Sequence, residues 1–184
     1  AEESCANSCL IIGEDLGTVP PAVPGLLARH NILSCRLLIF AREGDRYLAP
    51  EEYPRHALVS IGTHDLPPLI GFIAGIDIET RRQLGVYPDE ARYHQALQER
   101  EHEQQRLRDA IQAAGFSIGE DDVGLLAAAY GFLARTPCAL LMVQMEDLAL
   151  EREQPNVPGT DERLPNWRRK LSRNLEEIFA APST

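Results

Sequence analysis

The stretch Ala57-Leu58-Val59-Ser60-Ile61-Gly62-Thr63-His64-Asp65 decides the fold class of this chain. Its first five residues form a short apolar run without regular polar alternation, which is typical of a strand buried on both faces of a parallel sheet. The run ends in a glycine and then in polar side chains, and in parallel α/β folds the ligand site lies at such strand ends. Three other runs share this character, namely Cys9–Ile12, Cys35–Phe40 and Cys138–Val143.

Helical patterns separate these runs, so the sequence predicts parallel strand–helix units. The helices follow from caps, prolines and the spacing of apolar residues. They are predicted at Val23–His30, Ile78–Gly85 with Asp77 as N-cap, Pro88–Ala114, Asp121–Ala134 with Asp121 or Asp122 as cap, and Trp167–Phe179.

Four parallel strands make half of an eight-stranded barrel, and left open they would expose two apolar edges. The chain also starts without Met, on residues 1–6, which look like the last turns of a helix. We therefore predict an α/β fold in which residues 1–184 form the C-terminal half of a (β/α)8 TIM barrel. A helical insertion is expected at about residues 77–134, and the N-terminal half of the barrel is expected to be absent.

The composition argues against two classes of partner. The net charge is −10 and no Lys/Arg-rich run occurs, which argues against nucleic acid. No apolar stretch approaches the ~20 residues that span a bilayer, which argues against a membrane.

Two disulfides and a metal site are both open for the cysteines, Cys5, Cys9, Cys35 and Cys138. Three of them lie in or beside apolar runs, which favours buried free thiols, no metal and a reducing cytoplasm.

Two carboxylates follow apolar runs directly, at Glu14 and Asp65. In a parallel sheet both side chains would project into the same mouth. Two carboxylates in one cleft suit the cleavage of a glycosidic bond, where one acts as acid/base and another supports an oxocarbenium-like centre. A structural alternative remains open, in which Glu14 or Asp15 caps the following helix and Asp65 belongs only to a rigid loop.

Four blocks of the sequence resemble the amylomaltases, the disproportionating 4-α-glucanotransferases of glycoside hydrolase family 77, in their bacterial form. The blocks are Ile11–Pro20, Thr63–Pro67, Leu84–Pro88, and Asn156–Gly159 with Asn166–Leu171 after it. They occur in the family's order and extend over nearly the whole chain. The resemblance implies an enzyme that acts on maltooligosaccharides and other α-1,4-glucans and needs no metal or nucleotide cofactor.

The resemblance also implies roles for individual residues. Glu14 would be the catalytic acid/base, and Asp65 would bind the 2- and 3-hydroxyls of the reacting sugar. His64 and Asn156 would contact the substrate, and Phe40 would be the aromatic residue beside the site. Asp15 is interpreted as support for the site or as a helix cap. Trp167 is interpreted as a structural residue that closes the barrel, with stacking on a sugar together with Arg168 as the alternative.

One expected part is missing from the sequence. The family's nucleophilic Asp follows an earlier strand, and no segment here matches it. Since a retaining mechanism needs that nucleophile ~5–5.5 Å from the acid/base, the isolated chain is expected to be inactive. Two alternatives therefore remain open, namely a non-catalytic module that binds carbohydrate and self-association through the open sheet edges.

Overall fold

The computed structural model describes residues 1–160 and 163–180. Eight α-helices and five strands occur in these residues. The helices are α1 (Glu2–Asn7), α2 (Val23–Arg29), α3 (Leu69–Ile73), α4 (Ile76–Gln83), α5 (Glu90–Ala113), α6 (Asp122–Ala134), α7 (Met145–Leu148) and α8 (Leu175–Ala180). The strands are β1 (Ser34–Leu37), β2 (Arg42–Glu43), β3 (Arg46–Tyr47), β4 (Ala57–Ser60) and β5 (Leu140–Leu141).

A parallel sheet with the order β1–β4–β5 confirms the predicted α/β class. Strand β4 lies in the centre, and all four of its residues are buried. Its position between two parallel neighbours places the residues after it, 61–68, in the middle of the sheet's carboxyl edge. Strands β2 and β3 form a separate antiparallel hairpin.

The first predicted strand, Cys9–Ile12, is reduced to one parallel bridge between Ile12 and Leu33. Two backbone hydrogen bonds flank the bridge, from Leu33 to Ile11 and from Gly13 to Leu33. The turn that ends α1 occupies the start of the run, because the backbone N–H of Cys9 donates to Ser4. The prediction of four full strands is therefore wrong at this edge of the sheet.

Burial on both faces is likewise confirmed only for the inner strands. Leu10 is 55% exposed at one edge, and residues 140–143 are 38–49% exposed at the other. Among the described residues, each edge segment has a neighbouring strand on one side only, so its apolar side chains remain in contact with solvent.

Helices α5 and α6 pack with α3 over one face of the central strands. On the long polar helix α5, Leu107 and Ile111 are fully buried. They join the core with side chains of α6, namely Leu125, Leu126, Ala129, Phe132 and Leu133. Within the packing, Arg100 forms a two-point ion pair with Asp77, at 2.8 and 3.0 Å, and lies over the ring of Phe72.

Three predicted helices are confirmed to within two residues, and all begin with a recognisable start signal. These are α2, α5 and α6. The side chains of Asp89 and Asp121 cap α5 and α6, each accepting a 2.8 Å bond from the backbone N–H three residues on. Such side-chain caps satisfy N–H groups that the helix itself leaves without partners.

Helix α4 lies within two residues of its predicted bounds, but the predicted cap of this helix and the predicted length of the closing helix are wrong. Helix α4 starts at Ile76 after Gly75, whose φ of 69° sets the turn, so Asp77 is not its cap and instead pairs with Arg100. The closing helix predicted over Trp167–Phe179 is restricted to α8, Leu175–Ala180. Residues 166 and 167 are unavailable for a helix because the side chain of Asn166 and the backbone N–H of Trp167 hold residues 155–157 in place.

All four cysteines are free thiols. Cys35 is buried and Cys138 half-buried, in line with the predicted burial, whereas that prediction is wrong for Cys9, which is exposed at the open edge. Cys5 is exposed on α1, a helix without buried residues. In residues 1–160 and 163–180, His, Cys, Asp and Glu side chains do not gather in threes as a metal site would need. Over the same residues, every helix is too short or too polar to cross a bilayer.

Candidate active site

The β4–α3 loop, residues 61–68, carries His64 and Asp65 at the centre of the sheet edge. A turn holds it, in which the backbone N–H of Leu66 donates to the carbonyl of Thr63 and that of Asp65 donates to Thr63 Oγ1. His64 Nε2 lies 3.5 Å from Asp65 Oδ1, and both side chains are about half exposed. The loop therefore presents a carboxylate and an imidazole side by side to the solvent.

A second loop, residues 154–160, is bonded to the β4–α3 loop at three points. Asn156 Nδ2 donates to Asp65 Oδ1 at 2.6 Å, and the backbone N–H of Asn156 donates to the carbonyl of His64 at 3.1 Å. Gln154 Nε2 donates to the carbonyl of Asp65 at 2.9 Å. The structure thus brings together three of the predicted site residues, and it adds Gln154, to which the sequence analysis assigned no role.

Asn166 fixes the shape of the second loop. Its Oδ1 accepts a 3.0 Å bond from the backbone N–H of Val157, and its Nδ2 donates to Thr160 Oγ1 at 2.7 Å. The next residue, Trp167, has a φ of 60°, which is rare for a bulky side chain and indicates a backbone held by its surroundings. Its backbone N–H donates to the carbonyl of Pro155 at 3.0 Å.

The ring of Trp167 lies against the ring of His64, with 4.9 Å between centroids, and the side chain is 65% exposed. The interpretation of Trp167 as a residue that only closes the fold did not anticipate this contact. A sequence signal was present, because Trp167 belongs to the same matched block as Asn166. A large exposed aromatic ring beside polar groups is also the usual platform for a sugar face.

Glu14 lies just after the bridge at Ile12, on the other side of β1 from β4. Its neighbour Asp15 anchors this turn, because the carboxylate accepts a 2.8 Å bond from the backbone N–H of Cys35 and pairs with Arg36 at 3.0 Å. Neither Glu14 nor Asp15 caps α2, whose N-cap is Ala22. The helix-capping alternative is therefore wrong, and Asp15 acts as support for the turn.

The charges around this turn act on two titrating groups. Burial raises the pKa of Asp15, but the bonds from Cys35 and Arg36 outweigh it and leave the pKa below that of a free aspartate. For the thiol of Cys35, burial raises the pKa, and the nearby charges of Glu14 and Asp15 raise it further against the opposing effect of Arg36. Glu14 and Cys35 also line the same cavity.

A cavity of about 510 Å³ opens on the inner face of the sheet. Glu14 and His64 both line it, Glu14 at the edge of the row of strand tips and His64 after the central strand β4. The rest of the lining comes from strand side chains and from the turn after β5, with Cys35, Leu37, Leu58, Ser60, Met142, Gln144 and Glu146 among them. Glu146 is a carboxylate of this cavity to which the sequence analysis assigned no role.

Neither Asp65 nor Phe40 is among the residues that line this cavity. Asp65 lines a neighbouring hollow of about 450 Å³ together with Thr80, Arg81 and Val157. Phe40 is 52% exposed and lines a third hollow with Asp15, Leu16 and Gly17. Glu14 and His64 therefore share one cavity, and His64 contacts Asp65, which Asn156 holds. Asp65 and Phe40 each line a different hollow, so the expected shared mouth connects Glu14 to Asp65 only through His64.

Comparison with known proteins gives one family. The family model described as 4-alpha-glucanotransferase matches residues 1–176. The 4-alpha-glucanotransferase of Haemophilus influenzae is 35% identical over 98% of this chain and 27% of its own length. That of Mycobacterium bovis is 34% identical over 97% of this chain and 26% of its own length.

A solved structure agrees with these sequences. The amylomaltase of Corynebacterium glutamicum superposes with a TM-score of 0.82 and 30% identity, over 92% of this chain and 26% of that protein. The chain thus spans about a quarter of the length of the relatives it matches. Because the family model matches all but the last eight residues, the chain belongs to the 4-alpha-glucanotransferase family, glycoside hydrolase family 77.

Proposed function

We propose that this chain supplies two carboxylates to a 4-α-glucanotransferase that moves segments of α-1,4-glucan between maltooligosaccharides. The observation that supports the proposal most directly is the continuity of polar groups along the strand ends. Glu14 and His64 line one cavity, and His64 lies 3.5 Å from an Asp65 that is itself bonded to Asn156.

In the proposed mechanism Glu14 is the general acid and then the general base. It protonates the oxygen of the leaving glucan and later takes the proton from the hydroxyl of the incoming acceptor. Between these steps the donor glucan is held as a covalent ester on a carboxylate nucleophile, which retains the configuration at the anomeric carbon. We propose that polypeptide outside residues 1–184 provides this nucleophile, so that residues 1–184 alone do not transfer glucan.

Asp65, His64 and Asn156 bind the sugar that reacts. Asp65 accepts hydrogen bonds from two adjacent hydroxyls, and the bonds strengthen as the ring flattens toward the oxocarbenium-like transition state. Asn156 keeps one oxygen of the carboxylate fixed at 2.6 Å and leaves the other for the substrate. No step needs a metal, because these carboxylates carry the charge that develops.

The test is disproportionation of maltotriose by the complete polypeptide encoded by the reading frame that contains these residues. We expect longer maltooligosaccharides and glucose from the wild type, and a loss of at least about 100-fold from Glu14→Gln and from Asp65→Asn. Glu2→Gln, on the exposed helix α1, is the matched control and should transfer at the wild-type rate. Undiminished transfer by Glu14→Gln would contradict the assigned role.

A non-catalytic module that binds carbohydrate is the second candidate. It is favoured by the exposed ring of Trp167 beside His64, together with the lack of any segment that matches the family's nucleophile. Calorimetric titration of residues 1–184 with maltoheptaose separates the two candidates. Tight binding that Trp167→Ala abolishes, in a polypeptide without transfer activity, would favour the module. Weak binding or none is expected from the transferase proposal, because part of the cleft then lies outside these residues.

We also propose that residues 1–184, when isolated, associate with a second copy through the edges of the sheet. The support is the row of apolar side chains at 140–143 and the exposed Leu10 at the opposite edge. Sedimentation velocity at several concentrations tests this. A larger species that grows with concentration, and that Leu141→Lys suppresses, is the expected result, and a monomer at every concentration would contradict it.

A further inference from the structure

Three side chains, which we call the loop clamp, tie down both ends of the β4–α3 loop. They are Gln144, after β5; Asp147, in α7; and Tyr130, in α6. Gln144 Oε1 accepts a 2.9 Å bond from the backbone N–H of Gly62, where the loop begins. Asp147 Oδ1 accepts a 2.9 Å bond from the backbone N–H of Leu69, where the loop ends.

Tyr130 connects the two halves of the clamp. Its hydroxyl donates to Asp147 Oδ2 at 2.5 Å and accepts from the backbone N–H of Gln144 at 3.2 Å. The four bonds form one continuous path from Gly62 to Leu69 that runs outside the loop. The clamp therefore holds the two ends of the loop, while residues 154–156 bond to its middle at His64 and Asp65.

Asp147 is unusual because it is a carboxylate with only 1% of its surface exposed. Burial raises its pKa, while the bonds from Tyr130 and Leu69 oppose that shift. A buried carboxylate costs free energy unless its lone pairs are used. Each of its two oxygens accepts one hydrogen bond here. A carboxylate suits this position because its two oxygens accept bonds from two different directions.

From this geometry we propose that the loop clamp is a positioning device, which sets His64 and Asp65 at the distance and angle that the reacting sugar needs. Gln144, Asp147 and Tyr130 are positioning residues, and none of them is assigned a bond to the substrate. The inference rests on the proposed function for its effect on rate. Its structural part, the placement of the loop by the clamp, can be measured without activity.

A comparison within the molecule separates this role from ordinary packing. Tyr53 is also a buried tyrosine, but its hydroxyl has no hydrogen-bond partner among residues 1–160 and 163–180, and its ring packs edge-on against Phe132. Tyr130→Phe removes one hydroxyl from the clamp, whereas Tyr53→Phe removes one outside it. Both changes conserve the ring, so a difference between the two variants reports on the hydroxyl of Tyr130.

The first experiment uses the fluorescence of Trp167, which is the single tryptophan in residues 1–184. An imidazole in contact with an indole quenches its emission, and the ring of His64 lies 4.9 Å from that of Trp167. The emission of Trp167 should therefore be quenched by His64, and His64→Gln should remove that quenching. We expect Tyr130→Phe to reduce the amplitude of this quenching, measured against His64→Gln, at least about twofold. Tyr53→Phe should keep the wild-type amplitude.

The second experiment measures rates in the complete polypeptide with maltotriose. A misplaced catalytic group lowers the rate of the chemical step more than it weakens binding, so we expect Tyr130→Phe to lower kcat about 10- to 100-fold with a smaller change in KM. Tyr53→Phe should keep both constants. Glu14→Gln runs in parallel, so that a failure of the proposed function is seen as an inactive wild type or an active Glu14→Gln.

The outcomes separate the two proposals. An active wild type with an inactive Glu14→Gln and an unchanged kcat in Tyr130→Phe would overturn the clamp and leave the proposed function standing. Equal quenching amplitudes in the wild type, Tyr130→Phe and Tyr53→Phe would also overturn it, whatever the activity. If circular dichroism shows that Tyr130→Phe is unfolded, Gln144→Met takes its place, since it breaks only the bond to Gly62.

Discussion

The two carboxylates of the candidate site are held in different ways. Asp65 follows the central strand β4, and hydrogen bonds from residues 154–156 and from the loop clamp fix its loop on several sides. Glu14 follows a segment that joins the sheet by one bridge, and its turn depends mainly on Asp15 and Gly13. The difference teaches that a strand with neighbours on both sides provides a rigid support, whereas an edge segment needs a dedicated anchor.

The largest expected effect tests the rigid side. A Cβ added at Gly71, in α3 just after the β4–α3 loop, would lie 1.9 Å from the carbonyl oxygen of Arg152. The backbone has to move to accept it, so we expect Gly71→Ala to lower the free energy of unfolding by about 3 kcal/mol or to prevent folding. Urea denaturation measures this.

The matched control for Gly71 is Gly25→Ala in α2, where a Cβ would meet no atom within 4 Å. Since alanine favours helix over glycine, this variant should be as stable as the wild type or slightly more stable. Equal stability of Gly71→Ala and Gly25→Ala would contradict the close contact between α3 and residue 152.

The next effect tests the anchored side. Asp15→Ala leaves the buried backbone N–H of Cys35 without its acceptor and Arg36 without its partner. We expect a loss of about 2–3 kcal/mol in the free energy of unfolding. Asp45→Ala is the control, since the Asp45 carboxylate is 98% exposed beside Arg106 and should contribute almost nothing.

The contribution of Asp15 should also depend on pH in a defined direction. Its pKa is lower in the folded chain than in an unfolded one. The stabilisation is therefore fully present above the unfolded value of about 3.9 and is lost as the pH falls through the folded pKa. The gap in stability between the wild type and Asp15→Asn should narrow below about pH 4, and a gap that widens there would contradict the ion pair with Arg36.

The smallest expected effect tests the bond between the two loops. Asn156→Ala removes the 2.6 Å bond to Asp65, but both side chains are partly exposed, so water replaces much of it. We expect a loss of about 1 kcal/mol or less. Asn7→Ala breaks a comparable exposed bond to Glu3 far from the site and serves as the control. A loss of several kcal/mol in Asn156→Ala alone would show that the second loop holds the fold and not only the site.

Local patterns made the inner strands and the capped helices predictable. The runs that contain β1 and β4 are apolar over several consecutive residues, as burial on both faces requires. Asp89 and Asp121 cap α5 and α6 with their own side chains. The same patterns failed where a distant partner decides. Asp77 looks like a cap in the sequence, but Arg100, 23 residues away, takes its carboxylate.

The candidate site was predictable only in part for the same reason. Glu14 and Asp65 follow apolar runs, and the position alone suggested their exposure at strand ends. Gln154 and the contact of Trp167 with His64 depend on how a loop folds back over residues nearly a hundred positions earlier. The periodicity of apolar residues does not predict the path of this loop, because single side chains such as Asn166, bonded to the loop backbone, determine that path.

The central claim is that Glu14 and Asp65 act on one glucosyl unit. A crystal structure of the complete polypeptide with a bound maltooligosaccharide tests it most directly. We expect the carboxylate of Glu14 within about 3 Å of a glycosidic oxygen and that of Asp65 within hydrogen-bond distance of two hydroxyls of the same sugar. A sugar bound to only one of these carboxylates, with the other turned away from it, would contradict the claim.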